Sequence, residues 1–525
     1  MNSLSFARIR PIDICMSGIF FELVSNAVSR IERAMPAPVF SAATMAYNQI
    51  ASAIFGVFLG ASLGAETYGT INLARSIFLI LLVATPLGLD LALQKSFVRG
   101  GDSDFLRCSA LLWLRGASIA LSIAAFLCAA FGLGDWLEAH VFQYQGFALA
   151  FCVTLAALPF ATDNAVLGGA YRGILRPIPS LAASYLVQPT LRILLIVPLL
   201  ALLDGAKAVV WGALLSWALA WLFVAAAARR DFGGAFRTVG ALSEAGRILR
   251  LAPIMCLSTL VFTIARSLDS IALGYFASNA DVGRYAAVQM VGQLVAIIGA
   301  SLGQTLGARV AAAARESDHG RLRALLHENM SMGSLLSAPF CVAVALWGKD
   351  IDLLLGPSFV IPSSVFIVAS LTQWLITTTH YASAALTMTG RLLTELHNNF
   401  AALAFQICAA LVLVPALGID GAALSTGLSI LLINVLRQRQ IAAMLGAPVA
   451  TFHLALPLLL SATIALPIWL LGATAGYRAW WLTALEAMSQ VAISLGVLLI
   501  FYADGPLRAH MIAISERFRP LRRRG

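Results

Sequence analysis

Three arginines and one aspartate lie deep within long apolar stretches of this sequence, at Arg75, Arg192, Arg266 and Asp269. An ionised side chain at the centre of a membrane helix costs about 2.5 to 3.5 kcal/mol on insertion scales, so such residues usually face a partner or a water-filled cavity. Arginine suits the second role because its planar guanidinium binds phosphate oxygens in pairs and stays charged at accessible pH. Arg75 and Arg192 have no carboxylate three or four residues away along the sequence. The pattern therefore predicts a cationic site for an anionic, phosphorylated ligand.

The same charges also have a purely structural interpretation. Arg266 and Asp269 are three residues apart, which places them on one helical face where they can neutralise each other. In this interpretation Arg75 and Arg192 bond carbonyl groups at helix ends. Four shallower charges are predicted to be structural. Arg115 is expected to reach the membrane interface or a neighbouring group, Asp90 and Asp163 are expected to pair with Lys95 or Arg172, and Glu486 is expected to pair with Arg478.

The elements that hold these residues are predicted to be membrane helices. Of the 525 residues, 60% are hydrophobic and only 11% are charged, whereas soluble domains carry about 25% charged residues. This composition excludes a water-soluble enzyme. At about 20 apolar residues per span, the sequence predicts an all-α polytopic membrane protein with about fourteen transmembrane helices. The second span is placed at Ile71–Leu93, and the eleventh and twelfth at Phe400–Leu417 and Ile419–Leu436.

The distribution of positive charge predicts the orientation. Most of the 35 lysines and arginines fall in or beside segments that are cytosolic if the N-terminus is inside, as the positive-inside rule requires. Both termini are therefore predicted to be cytosolic, and anionic lipid headgroups explain the net charge of +10 without a nucleic-acid partner. The seven cysteines show no paired spacing, so neither a disulfide framework nor a metal site is expected. No cofactor and no catalytic residue is predicted, because the outside loops are too short to hold an active site.

The sequence repeats itself at an interval of about 214 residues, with Gly60 matching Gly274 and Gly69 matching Gly283. Six helices return a chain to its starting side, so two such units are expected to run parallel, related by an axis along the membrane normal. A substrate site is expected near mid-membrane between the units, lined by helices of each. The predicted organisation is an amphipathic N-terminal segment (1–36), an N-lobe of six helices (37–228), a basic cytosolic linker (229–250), a C-lobe of six helices (251–443), two further transmembrane helices (444–502) and a basic cytosolic tail (503–525).

Three short motifs accompany this repeat. Residues 269–276 read Asp-Ser-Ile-Ala-Leu-Gly-Tyr-Phe, residues 281–287 read Asp-Val-Gly-Arg-Tyr-Ala-Ala, and residues 418–423 read Gly-Ile-Asp-Gly-Ala-Ala. Together with the predicted spans and the parallel repeat, their order and spacing resemble the multidrug/oligosaccharidyl-lipid/polysaccharide exporter superfamily. Within that superfamily the chain resembles the polysaccharide-flippase branch most closely. The resemblance covers the chain from about Val39 onward.

The resemblance implies a multi-pass protein of the bacterial inner membrane that is not an enzyme. It would move an undecaprenyl-diphosphate-linked oligosaccharide between leaflets by alternating access, for the synthesis of exopolysaccharide, O-antigen or capsule. By the same resemblance Arg75, Arg192 and Arg266 line a cationic central cavity. Asp269 would then exchange between Arg266 and a coupling ion. The implied partners are the lipid-linked glycan, membrane lipids, a coupling proton or sodium ion, and a polysaccharide polymerase or export machinery.

Several alternatives stay open at this stage. Gln289, the repeat equivalent of Arg75, can hydrogen-bond sugar hydroxyls or simply hold two helices together. A cation-coupled multidrug exporter of the same superfamily predicts a cavity dominated by carboxylates and aromatics, and a lipid II flippase is a close relative of the leading hypothesis. A membrane glycosyltransferase, polymerase or ligase needs a metal or an acid/base pair in a sizeable outside loop, which the predicted loops do not supply.

Overall fold

The computed structural model describes residues 37–97, 104–232, 241–293, 295, 310, 313, 318–379, 381–449, 452–473 and 480–501. Every regular element in these ranges is a helix, which confirms the predicted all-α class. Several predicted features lie outside the described residues: the N-terminal segment, the whole C-terminal tail, part of the linker, Arg478 and the side chain of Lys95.

The helices follow the chain in two halves and a C-terminal pair. The first half, residues 37–232, contains α1 (Ala37–Ala84), α2 (Leu89–Phe97), α3 (Asp104–Cys128), α4 (Phe147–Ala156), α5 (Leu158–Gly173), α6 (Ile178–Leu199) and α7 (Gly205–Phe232). The second half, residues 241–445, contains α8 (Ala241–Phe276), α9 (residues 279–293), α10 (His319–Trp347), α11 (Ser363–Thr379), α12 (Tyr381–Met388), α13 (Leu392–Leu417) and α14 (Ile419–Leu445). The C-terminal pair, α15 (Leu456–Ala473) and α16 (Trp480–Phe501), packs against α10.

The lengths and compositions of these helices fit a protein that crosses a membrane many times. Among the described residues, ten helical runs are long and apolar enough to span a bilayer. The first of these runs contains a bend, so it holds two segments of about 20 residues or more, each long enough for its own crossing. A polytopic membrane protein is therefore confirmed, and the total of fourteen spans stays a prediction, as do the lobe boundaries.

The bend in α1 lies at Gly64, whose φ of 74° and ψ of 166° break the helix. Glycine adopts such a backbone readily because it has no Cβ. The predicted second span, Ile71–Leu93, is interrupted: α1 ends at Ala84, and a turn precedes α2. Pro86 explains this end, since proline lacks a backbone N–H and disfavours helical conformation in the residue before it.

The two helices α13 and α14 meet at Gly418, whose φ is 58°, and this confirms the predicted short turn. Both helices extend about two turns beyond their predicted spans at the ends away from that turn. The extensions bring Glu395 and Arg437, which fall outside the predicted spans, into a buried ion pair. Asn399 accepts a further hydrogen bond from Arg437 at 3.2 Å, and Ser383 donates one to Glu395 at 2.7 Å.

In the described part of the chain, the two halves are in backbone contact where α1 crosses α9. A Cβ added to Gly69 would lie 1.9 Å from the carbonyl oxygen of Asn279, and one added to Gly283 would lie 2.0 Å from that of Ala65. Real atoms cannot approach so closely, so both positions require glycine while the helices keep this separation. Gly69 and Gly283 are also the pair that the internal repeat matches. The two halves thus touch backbone to backbone at equivalent positions.

Candidate functional site

A cavity of about 570 Å³ opens among the helices of the first half. Its walls come from α1, the start of α2, α4, α5, α6 and α7, and α9 supplies the remaining wall with Ala286, Gln289, Met290 and Gln293. The sequence predicted a site lined by helices of both units. Among the described residues, α9 is the second half's contribution to this lining, so the cavity belongs mainly to the first half.

Arg192 on α6 projects into this cavity and is held from two sides. One Nη atom donates a hydrogen bond to Ser52 Oγ on α1 at 3.0 Å, and the guanidinium carbon lies 5.6 Å from the centre of the Phe55 ring. The Nε atom is buried and has no hydrogen-bond partner in the described part of the chain. Buried polar groups normally have partners, so this N–H is an unsatisfied donor in the wall of the cavity.

Arg75 on α1 lines the same cavity and is exposed to it. The two guanidinium groups are close enough for their charges to act on each other, and both act on the phenol of Tyr68. Within the described residues, no carboxylate forms an ion pair with Arg75 or Arg192. Like charges held together without a counterion make this part of the cavity an anion-binding environment.

Gln289 connects the cavity wall to a buried carboxylate. Its Nε2 atom donates a hydrogen bond to Asp269 Oδ2 at 2.8 Å, and the backbone N–H of Ser270 donates to the other oxygen at 2.8 Å. Asp269 is only 2% exposed and is not part of the cavity lining. The carboxylate therefore influences the cavity through the amide of Gln289 rather than directly.

Arg266 lies apart from the other predicted site residues. It is not among the residues that line this cavity, and its guanidinium carbon lies 5.9 Å from the centre of the Phe262 ring, one turn earlier on α8. The expected ion pair between Arg266 and Asp269 is not formed. Arg266 lies over Phe262 instead, and the Asp269 carboxylate accepts its hydrogen bonds from Gln289 on α9 and from the backbone of Ser270.

Three of the four shallower charges, Arg115, Asp163 and Asp90, form ion pairs, and Asp163 has a different partner from the one expected. Arg115 donates two hydrogen bonds of 2.6 Å to the two oxygens of Asp163, and Trp221 Nε1 donates a third of 2.7 Å. The expectation that Asp163 pairs with Lys95 or Arg172 is therefore corrected. Asp90 does face Arg172, at 3.7 Å. Glu486 accepts a hydrogen bond from Trp347 Nε1 at 3.0 Å.

Sequence reasoning missed several residues of the cavity wall. Arg172 and Asp90 were expected to form a structural pair near a helix end, yet both line the cavity. The wall also carries carboxamides that were not singled out: Asn48, Gln49, Asn72, Asn164, Gln188 and Gln293. Three of the six lie on α1, and α5, α6 and α9 carry one each, a pattern visible in the sequence because amides are unusual inside apolar membrane helices. Which helical face they occupy required the structure.

Comparisons with known proteins agree with this architecture. A family model described as polysaccharide biosynthesis protein matches residues 39–306. A structure described as the lipid II flippase MurJ in an inward closed conformation is similar with a TM-score of 0.67 at 11% identity, covering 93% of this chain and 99% of that one. An inward-facing multidrug resistance MATE family transporter of the MOP superfamily gives a TM-score of 0.60 at 18% identity, covering 80% and 98% of the two chains.

A third solved structure is also similar to this chain. It is described as a MOP superfamily transporter from Pyrococcus furiosus whose binding pocket has reversed polarity, suggesting a different function. Its TM-score is 0.54 at 16% identity, with 82% of this chain and 99% of that chain covered. At such identities these likenesses establish the fold. No curated protein matches the chain by sequence.

Proposed function

We propose that this chain is a flippase for an undecaprenyl-diphosphate-linked oligosaccharide. The premise is that it belongs to the polysaccharide biosynthesis protein family of the multidrug/oligosaccharidyl-lipid/polysaccharide exporter superfamily. In this role it carries the glycan across the bacterial inner membrane for the synthesis of a surface or exported polysaccharide.

The observation that carries the proposal is the pair of cavity arginines. Arg75 and Arg192 line one cavity and form no ion pair with a carboxylate in the described part of the chain. The Nε donor of Arg192 is also unsatisfied within the described residues. A diphosphate offers paired anionic oxygens that match guanidinium donors. The carboxamides of the wall can hydrogen-bond sugar hydroxyls, which are both donors and acceptors.

The charge of the lining supports an anionic cargo over a cationic one. The charged lining residues are Arg75, Arg172, Arg192 and Asp90, which give a net charge of +2. A cation-coupled multidrug exporter would instead be expected to present carboxylates to its ligand. A diphosphate diester carries one negative charge on each phosphate, so its charge balances that of the wall.

The contact between the halves supports transport by alternating access. The α1–α9 crossing at Gly69 and Gly283 lies beside Tyr68 and Ala286, which line one end of the cavity. In the proposed orientation this end faces the periplasm, and both termini face the cytosol. Opening the cavity to the periplasm would then require the two helices to separate at the glycine contact.

A complementation experiment tests the proposal. Strains lacking an O-antigen flippase, an exopolysaccharide flippase or a lipid II flippase would receive this chain, and cell-surface polysaccharide and viability would be measured. We expect rescue of one of the two polysaccharide strains. Rescue of the lipid II strain alone would assign the neighbouring function, and rescue of none, with the protein present in the membrane, would contradict the proposal.

A further inference from the structure

Arg172 and Asp90 occupy a separate part of the cavity from Arg75 and Arg192. Asp90 follows Arg75 by 15 residues and lies beyond the turn at residues 85–88, so the two line different stretches of the cavity wall. Arg172 lies in the last turn of α5 and faces Asp90 across the cavity wall. The cavity therefore has cationic groups in two places, and the one at Arg172 is paired with the carboxylate of Asp90.

The same helix α5 holds a second ion pair that provides a direct comparison. Asp163 accepts two 2.6 Å hydrogen bonds from Arg115 and has no exposed side-chain surface. The Arg172–Asp90 pair makes one contact of 3.7 Å, and its side chains are 37% and 31% exposed. The first pair is tight, its aspartate is fully buried, and it lies outside the cavity lining. The second is loose, solvated and inside the lining, so an incoming anion can compete for its arginine.

The surroundings of the loose pair fix its backbones and leave its side chains free to separate. A Cβ on Gly169 would lie 2.1 Å from the carbonyl oxygen of Asp90, so α5 packs directly on the start of α2. Arg172 Nε donates a hydrogen bond of 3.3 Å to Gln94 Oε1. That bond retains the guanidinium at the wall when Asp90 moves away, and it leaves the Nη donors for another acceptor.

We propose that Arg172 is a second anion-binding residue of this cavity and that Asp90 is its removable shield. The inference rests on the proposed function and adds a step to it. A phosphate group of the cargo displaces the Asp90 carboxylate from Arg172, and is bound there before or after it occupies the Arg75–Arg192 site. Without an anion, Asp90 neutralises Arg172 and prevents an uncompensated charge at that level of the cavity.

The test relies on opposite changes in anion affinity: removing the shield Asp90 should raise the affinity, and removing its target Arg172 should lower it. Purified protein in phosphatidylcholine nanodiscs would be titrated with farnesyl diphosphate, and the dissociation constant measured for Asp90→Asn and Arg172→Gln. We expect Asp90→Asn to tighten binding by about twofold to fivefold, the range of an exposed ion pair. We expect Arg172→Gln to weaken it by a similar factor or more.

The tight pair on the same helix supplies the matched control. Asp163→Asn should lower the thermal stability of the protein while leaving the affinity of the folded fraction unchanged. If Asp90→Asn weakens binding of farnesyl diphosphate, the shield role is overturned, because a merely structural pair would lose affinity when either partner is removed. The shield role is also overturned if neither variant changes the affinity. Absence of binding by the unmodified protein would overturn the inference too.

The inference and the proposed function can fail separately. Arg192→Ala would be titrated in parallel. If this variant loses binding of farnesyl diphosphate while Asp90→Asn and Arg172→Gln bind it as the unmodified protein does, only the second site would be contradicted. The complementation experiment tests the function without reference to Arg172. If complementation fails but Asp90→Asn and Arg172→Gln shift the dissociation constant in opposite directions as expected, the anion-binding site would stand and the proposed lipid-linked cargo would be wrong.

Discussion

The deep charges of the two halves have different surroundings. In the first half, Arg75 and Arg192 line one cavity, where each charge acts on the other and no carboxylate in the described part of the chain pairs with either. In the second half, Arg266 lies over Phe262 outside that cavity, and Asp269 is buried against α9. Equal depth along a helix therefore does not imply equal function. What separates the two sets is the face of the helix that carries them.

The largest expected effect is loss of transport when Arg192 is changed. Arg192→Ala removes charge-assisted hydrogen bonds to the diphosphate that are each worth about 1.5 to 3 kcal/mol, or roughly tenfold to a hundredfold in affinity. Export by complemented cells, normalised to the amount of protein in the membrane, measures it. Arg192→Lys should retain part of the activity, since it keeps the charge and loses the paired geometry. Full export by the alanine variant would show that the deep arginines of the first half are no more important for transport than those of the second half.

The next effect concerns the place where the halves meet. Gly69→Ala or Gly283→Ala adds a Cβ that would overlap a carbonyl oxygen of the opposite helix, at a cost of about 1 to 3 kcal/mol for overpacking. A lower melting temperature in detergent is the expected result. Gly116→Ala is the matched control, because nothing lies within 4 Å of its added Cβ, and alanine favours helix by up to about 1 kcal/mol. Equal melting temperatures for Gly69→Ala and Gly116→Ala would show that the crossing tolerates separation.

A moderate effect is expected from Asp269→Asn. If Asp269 couples an ion to transport through Gln289, the variant should retain binding of the diphosphate and lose the dependence of transport on external pH or sodium. The measurement is the initial rate of transport in proteoliposomes across a series of pH and sodium values. An unchanged dependence would assign the aspartate to packing between α8 and α9 alone, which would make the second half's deep charges entirely structural.

The smallest effect is expected from Arg266→Gln. Because Arg266 does not line the cavity, its replacement should change export by less than about threefold, within the modest range of exposed charge interactions. Comparison with Arg192→Gln at equal membrane abundance checks this difference directly. A loss as large as that of Arg192→Gln would mean that Arg266 faces the cargo at another stage of transport.

The sequence was sufficient for the all-helical membrane fold and for some of the residues that line the cavity. Hydropathy identified an all-helical membrane protein, the glycine matches of the repeat marked Gly69 and Gly283, and the cost of buried charge selected Arg75 and Arg192. Each of these predictions depends on local composition or on spacing along the chain. The same spacing at Arg266 and Asp269 gave a wrong ion pair, because side-chain direction and the neighbouring helix α9 decide that contact.

The remaining site residues could not be predicted for a related reason. Asp90 and Arg172 lie 82 positions apart, and the packing of α5 against the start of α2, with Gly169 at the contact, brings them together. Glu395 and Arg437 were missed because hydropathy ends a span at the first polar residues, whereas α13 and α14 continue with those residues turned inward. In both cases the deciding information is the arrangement of helices around each other.

The Arg115–Asp163 pair has a consequence for the biosynthesis of the chain. The two residues are 48 positions apart on α3 and α5, so at about 5 to 20 residues per second the ribosome needs several seconds to deliver the aspartate after the arginine. During that interval α3 must enter the bilayer with a charge that has not met its counterion, which depends on the arginine reaching toward the headgroups. Asp163→Leu would prolong this exposed stage indefinitely, and newly made protein would then be expected to reach the quality-control protease instead of the mature membrane pool.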